Sequence, residues 1–161
     1  MYTKEQIWNS FAKEFLIIRH LFEKISFGSM DYKPTEKQRT TLELLQYLSM
    51  TGASTLKAIA ANDIAAGAVY REASLSVTAD NFIDRITANE AEMKGLFEGL
   101  SEADLAEKIE RFGSTQSRAI FILDLLKTLT AYKMQLFLYI KASGNESVVT
   151  SNVWGGVDPV Q

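Results

Sequence analysis

Residues 121–144 read FILDLLKTLTAYKMQLFLYIKASG, and the way this stretch is covered decides the fold. Phe121 to Ile140 is long enough to cross a bilayer, but Asp124, Lys127, Lys133 and Gln135 interrupt it, and charges at membrane depth are costly. The stretch therefore reads as a buried amphipathic helix. Leu136, Phe137, Leu138, Tyr139 and Ile140 pass more than halfway around it. A helix with that much apolar surface has to be covered on both sides. The C-terminal tail, the 53–77 segment or a second subunit are the candidate covers, and the surplus leads us to expect a homodimer.

Three further helical segments precede it. The first is expected from Lys4 to Ser26, because Thr3 followed by Gln6 is a capping-box pattern. Ile7, Phe11, Phe15, Ile18, Phe22 and Ile25 recur at steps of four and three, which makes one apolar stripe. It should stop before Phe27-Gly28, ahead of a loop containing Pro34. The second is expected to start at Thr35, three residues before Gln38, to bury Leu42, Leu44, Leu45 and Leu48, and to stop at Gly52. A short helix near Ser54–Ala61 and an irregular crossing to Val77 follow. The third, Ala79 to Gly99 with Thr78 as cap, should face Phe82, Ile86, Met93, Phe97 and Leu100 inward. Ser101 caps a short helix ending near Glu110, Arg111-Phe112-Gly113 breaks it, and Ser114 opens the fourth helix. No segment alternates like a strand, and the tail from Asn145, with Trp154-Gly155-Gly156, reads as extended. The fold class is thus all-α: a four-helix bundle with one or two short extra helices and an extended C-terminal tail.

Composition narrows the function. The chain has 161 residues, enough for one domain with a real core. A formal charge of −3 offers no basic face to a phosphate backbone, so nucleic-acid binding is not expected. With no cysteine, disulfides, thiolate nucleophiles and Cys-based metal sites are excluded. Met1 to Ser10 has no signal-peptide core, and no membrane role is expected. A soluble cytoplasmic protein is the expectation.

The order of elements, and above all the end of the fourth helix, resembles the DinB-like superfamily. In that family the helix typically reads His-x-x-x-His-x-x-Gln-Leu and runs on to a Gly. A third histidine comes from near the end of the second helix, and the three hold a divalent metal. Here Gln135-Leu136 and the run to Gly144 match the end of the pattern, while Tyr132 and Thr128 stand at the two histidine positions. On the second helix, Leu44-Leu45-Gln46-Tyr47-Leu48 resembles the family segment, with Tyr47 where the third histidine is expected. The short helix at Ser101 and the Trp154-Gly155 tail also match, so the likeness covers nearly the whole chain. All three ligands are replaced, and the chain's one histidine, His20, cannot restore them. Neutral tyrosine and threonine are poor ligands for zinc or nickel beside imidazole. The resemblance therefore implies the fold without the metal, and no cofactor is expected.

Tyr47, Thr128, Tyr132 and Gln135 are the candidate site. If they face one pocket between helices, their hydroxyl and amide groups either grip a small polar ligand or plug the space with bonds to one another. Glu43 and Asp124 each lie one helical turn before a former ligand position, where paired carboxylates could support acid–base chemistry or recruit a hard cation, or simply stand as exposed acids of a long bundle. Glu90 interrupts the third helix's stripe and, if buried, needs a partner such as Arg118 or Lys94. His20 lies off the first helix's main stripe and reads as a satisfied, partly exposed histidine. Glu36, Lys37, Gln38 and Arg39 read as a solvated first turn. Serine catalysis lacks both a Gly-x-Ser-x-Gly elbow and a spare histidine.

Three functions follow. The leading one is a non-catalytic or small-ligand-binding bundle. The second is a transferase, related to the family's thiol-dependent enzymes, with a metal-free site rebuilt around Tyr132, Gln135 and Glu43. The third is a structural homodimer joined through the fourth helix. An open pocket favours the first two, and a closed one favours the third.

Overall fold

The computed structural model describes residues 3–26 and 28–160. The chain is mostly helical, with one two-stranded sheet among the described residues. Helix α1 spans Lys4–Phe22. Its capping box forms as expected: the Gln6 N–H donates to Thr3 Oγ1 and the Thr3 N–H to Gln6 Oε1. Phe11, Phe15, Ile17, Ile18 and Leu21 are buried along it. It ends about one turn before Ser26, where Lys24 and Ile25 turn back onto the carbonyls of Leu21 and Phe22. The expected stop before Phe27 concerns a residue outside those described.

Helix α2, Thr41–Ala61, differs from expectation at both ends. Thr40, not Thr35, is its cap, in a capping box with Glu43. Residues 36–40 are polar and would bury nothing as helix. The chain there pairs instead with the preceding loop, through Thr41 N–H to Tyr32 O and Leu42 N–H to Met30 O. Gly52 does not stop the helix. It lies where a Cβ would come within 2.8 Å of Met93 Sδ and Phe15 Cζ, so the glycine permits close packing. The predicted short helix at Ser54–Ala61 is the second half of α2. A 3₁₀ turn at Ile64–Gly67 and helix α3, Ala68–Ser74, then make the crossing.

Helix α4 covers Phe82–Glu98, capped at Asn81 and not at Thr78, whose N–H is held by Asn81 Oδ1. Its predicted inward residues, Phe82, Ile86, Met93 and Phe97, are buried. Ser101 caps α5, Glu102–Ala106, in a capping box with Asp104. The segment after it departs from the all-α expectation. Strands β1, Lys108–Arg111, and β2, Ser114–Ser117, form an antiparallel hairpin with Lys108 opposite Ser117 and Arg111 opposite Ser114. Phe112 and Gly113 both have positive φ, 53° and 75°, as a two-residue hairpin turn of matching twist requires. Helix α6 therefore begins at Arg118, not Ser114, and runs to Ala142.

The four long helices share one core: α1 and α2 each pack against both α4 and α6. Phe15, Leu48, Ile86 and Leu129 are wholly buried there. The tail is not simply extended, since Thr150–Gly155 forms α7, which lies against α1 and α6 with Asn152 and Val153 buried. It closes at Gly156, whose φ of +67° and proximity to Leu16 exclude a side chain. Leu136, Tyr139 and Ile140 of α6 are buried, whereas Leu138 is 55% exposed. Among the described residues no helix is long and apolar enough to cross a membrane.

Arg111 of β1 and Arg118, the first residue of α6, tie the hairpin and the start of α6 to the end of α2. Arg111 Nη1 donates to Ala58 O at 2.7 Å, and Arg118 Nε to Ile59 O at 3.2 Å. They add second, charged donors to carbonyls near the C-terminal end of the helix that already accept the N–H groups of Asp63 and Asn62. No basic residue lies in the last turn of α2 itself.

Candidate functional site

Tyr47 comes from the second turn of α2, not from near its end, and Tyr132 from the middle of α6. The packing of those helices brings their rings together, with centroids 4.5 Å apart and planes at 50°. Both side chains are half-buried. The Arg39 guanidinium lies over both, 4.5 Å from the Tyr47 centroid and 5.6 Å from that of Tyr132. Burial, reinforced by the Tyr132 hydroxyl beside it, pushes the Tyr47 phenol above its ordinary value. Tyr47 therefore stays protonated near neutral pH.

Gln135 belongs to the support of this cluster. Its Nε2 donates to the Tyr139 hydroxyl at 2.8 Å, and that hydroxyl donates to Arg39 O at 3.1 Å. Tyr139 is buried and meets Tyr32 edge-on at 5.6 Å. The relay fixes the backbone at Arg39 and so aims its guanidinium across the ring pair. Arg39 is the member of this cluster that the sequence concealed, because a polar run before a helix has no signal separating a solvated arginine from a stacked one.

The remaining expected residues do not join the ring pair. Thr128 Oγ1 donates to the Asp124 carbonyl of its own helix, and Asp124 pairs with Lys127 at 2.8 Å on the exposed side. Glu43 accepts the Thr40 N–H at 2.7 Å. Each acid thus has a structural partner, and the paired-carboxylate expectation finds no acid–base geometry.

Beside the rings is an open cavity of about 510 Å³, with Arg39, Tyr47, Gln46, Met50, Arg71 and Leu75 on its walls. Tyr47 is the one predicted ligand-contacting residue that lines it. Gln46 Nε2 donates to Val77 O at 3.1 Å and, at 3.5 Å, to the carbonyl of Leu75 on the same cavity wall. The donor chemistry of the family position does not fit a metal: two phenols, one with its neutral form favoured, and a hydroxyl committed to a carbonyl. Among the described residues no group of three or more His, Cys, Asp or Glu side chains is placed to hold an ion.

Elsewhere, Glu90 is bound by Arg19 at 2.5 Å, not by Arg118 or Lys94. Arg118 pairs with Glu107, and Lys94 with Glu98. His20 is 13% exposed and pinned to the tail by Asn152 at 3.0 Å and Asp158 at 3.6 Å. Lys133 and Asn89 are among the polar residues whose burial the sequence does not announce. Lys133 is wholly buried, with Glu14 at 2.9 Å and the Trp154 ring 4.7 Å away. Lys133 and Glu14 meet off the hydrogen-bonding direction, so charge attraction joins them. Trp154 thus covers a buried cation while remaining half-exposed. Asn89, in α4, accepts the Ala53 N–H at 2.8 Å and donates to Leu48 O at 3.3 Å, bonding the α2 backbone on either side of Gly52.

No family model and no curated protein matches the chain. Among solved structures, a DinB-like protein of Bacillus subtilis, YjoA, superposes with a TM-score of 0.68 at 20% identity, over 86% of this chain and 92% of that one. A likeness at that identity shows the fold, and the fold is DinB-like.

Proposed function

We propose that this chain is a divergent DinB-like four-helix bundle that has exchanged the family's metal centre for an aromatic plug and binds a small polar ligand in the cavity alongside. The carrying observation is the Tyr47–Tyr132 ring pair, 4.5 Å between centroids and capped by Arg39, at the positions where the resemblance expects histidines. The rings fill the space between α2 and α6. The cavity on the Arg39 side stays open, with Tyr47 as the shared wall. The transferase reading is weakened by the commitments of its acid and amide: Glu43 caps α2 and Gln135 serves Tyr139.

Elemental analysis and a thermal-shift screen test the proposal together. The protein purified without chelators is expected to carry less than stoichiometric zinc or nickel. Its melting temperature is expected to respond to small polar compounds and not to a metal with a low-molecular-weight thiol. Stoichiometric metal, or stabilisation that requires both metal and thiol, would sink it.

A homodimer is a second proposal, supported by the surface of α6, where Ile120 is 42% and Leu138 55% exposed. Sedimentation equilibrium decides it, and Leu138→Glu should shift a dimer towards monomer.

A further inference from the structure

We infer that the cavity beside the tyrosine pair selects a small organic or inorganic anion with two or more negative charges. This rests on the ligand-binding reading above and specifies the class of ligand. Three cations, Lys37, Arg39 and Arg71, line the cavity, against one acid, Glu43. None of the three is in an ion pair among the described residues. The acid is engaged as well, accepting the Thr40 N–H through Oε2 at 2.7 Å. A chain with a net charge of −3 thus gathers unneutralised positive charge at one concavity, where the low-dielectric walls strengthen attraction for an anion.

The cations come from two elements, the segment before α2 and helix α3. Arg39 is the one already in place. Its stack on Tyr47 and the Tyr139 bond to its carbonyl hold the guanidinium without using a counter-charge. Stacking leaves the in-plane N–H groups of a guanidinium free, and those groups match the paired oxygens of a carboxylate or phosphate. Several uncharged polar groups of the lining already have partners: Gln46 Nε2 holds Val77 O, Ser74 Oγ donates to Arg71 O, and Gln38 Oε1 accepts from Thr35 Oγ1. The three cations without counter-charges therefore dominate what the cavity recognises. Met50 and Leu75 add an apolar wall suited to a short carbon skeleton, and about 510 Å³ lies within the usual range for a metabolite-sized ligand.

Isothermal titration of the full chain at constant ionic strength tests this with four probes: inorganic phosphate, pyrophosphate, succinate, and succinamide as the uncharged analogue of succinate. Binding of pyrophosphate or succinate in preference to succinamide is expected, and the stronger of the two identifies a phosphate or a carboxylate ligand. Arg39→Gln and Arg71→Gln, both at exposed positions, should each weaken that binding by about ten- to a hundredfold, the loss typical of one charge-assisted hydrogen bond. Lys127→Gln, remote on α6, should leave it unchanged. Binding of succinamide as tight as succinate would overturn the anion inference while leaving a ligand-binding cavity. Equal binding by wild type and both arginine variants, or no heat from any charged probe at millimolar concentration, would also overturn it. Stoichiometric zinc in the purified protein would instead overturn the metal-free reading and leave the arginine result to stand by itself.

Discussion

Lys133→Met and Glu14→Leu, made singly and together, measure what the charged pair between α1 and α6 contributes. Lys133 is wholly buried and Glu14 13% exposed, with 2.9 Å between the charged atoms. Removing one member leaves the other charged and desolvated, a loss of about 3–5 kcal/mol in buried pairs. The Trp154 ring 4.7 Å from Nζ adds about 0.5–1 kcal/mol to the cost of either variant that lacks Lys133. The double variant replaces the pair with apolar side chains of similar length and should lie near wild type or above it, by up to about 4 kcal/mol. For a chain of this size each kcal/mol moves the melting temperature by roughly 2–4 °C, so Glu14→Leu should melt about 6–20 °C lower and Lys133→Met about 7–24 °C lower. Urea unfolding followed by circular dichroism at pH 7 gives the three free energies. Single losses below about 1 kcal/mol, or a double variant that loses the sum of the two, would refute the reasoning.

Asn89→Leu removes both bonds to the α2 backbone and leaves the Ala53 N–H and Leu48 carbonyl without them. A loss of about 2–4 kcal/mol should appear in the same urea titration. Gly52→Ala gains about 0.5–1 kcal/mol of helix propensity, but its methyl would press on Phe15, which is fixed in the core. Overpacking costs about 1–3 kcal/mol, so net destabilisation is expected, and a rise in melting temperature would contradict the close approach. Tyr70, on α3, is pushed up to about 12 by burial and by its hydrogen bond to Glu92. The folded chain thus favours its neutral phenol, so this contribution is complete below about pH 10 and is lost as pH rises through about 12. Absorbance titration at 295 nm should show a late-ionising tyrosine that Glu92→Gln shifts to lower pH.

Some of this was legible in the chain because local chemistry decided it. Thr3-x-x-Gln6 and Ser101-x-x-Asp104 close their own helices with their own side chains, and the stripe from Phe11 to Ile18 needs only periodicity. The missed features were settled at long range. Gly52 looks like a stop until Phe15 and Met93, far away in the chain, are placed against it. Thr35 and Thr40 both resemble caps, and the backbone bonds from the 30–32 loop choose between them. The hairpin turn is Phe112-Gly113 and not the more familiar Asn-Gly, and Ile109 and Arg111 are too short a run to display alternation. At the candidate site the positions of Tyr47 and Tyr132 were readable, whereas Arg39 became part of it only through Gln135 and Tyr139, two links removed in space. Lys133 was visible as an interruption in an apolar run, but its burial depends on Glu14 and Trp154 arriving from opposite ends of the chain.

Arg111 of the hairpin and Arg118 at the start of α6 reach carbonyls in the last turn of α2 across 53 and 59 residues of sequence. That helix end consequently cannot fray independently of a segment made much later in synthesis. Amide exchange at Asn62 and Asp63, whose N–H groups close the end of α2 onto Ile59 and Ala58, should track exchange within β1 and β2 in a single cooperative opening. A nascent chain that has emerged only as far as α4 would carry α2 with its final turn closed by the Asn62 and Asp63 N–H groups alone, awaiting the two arginines that lock it.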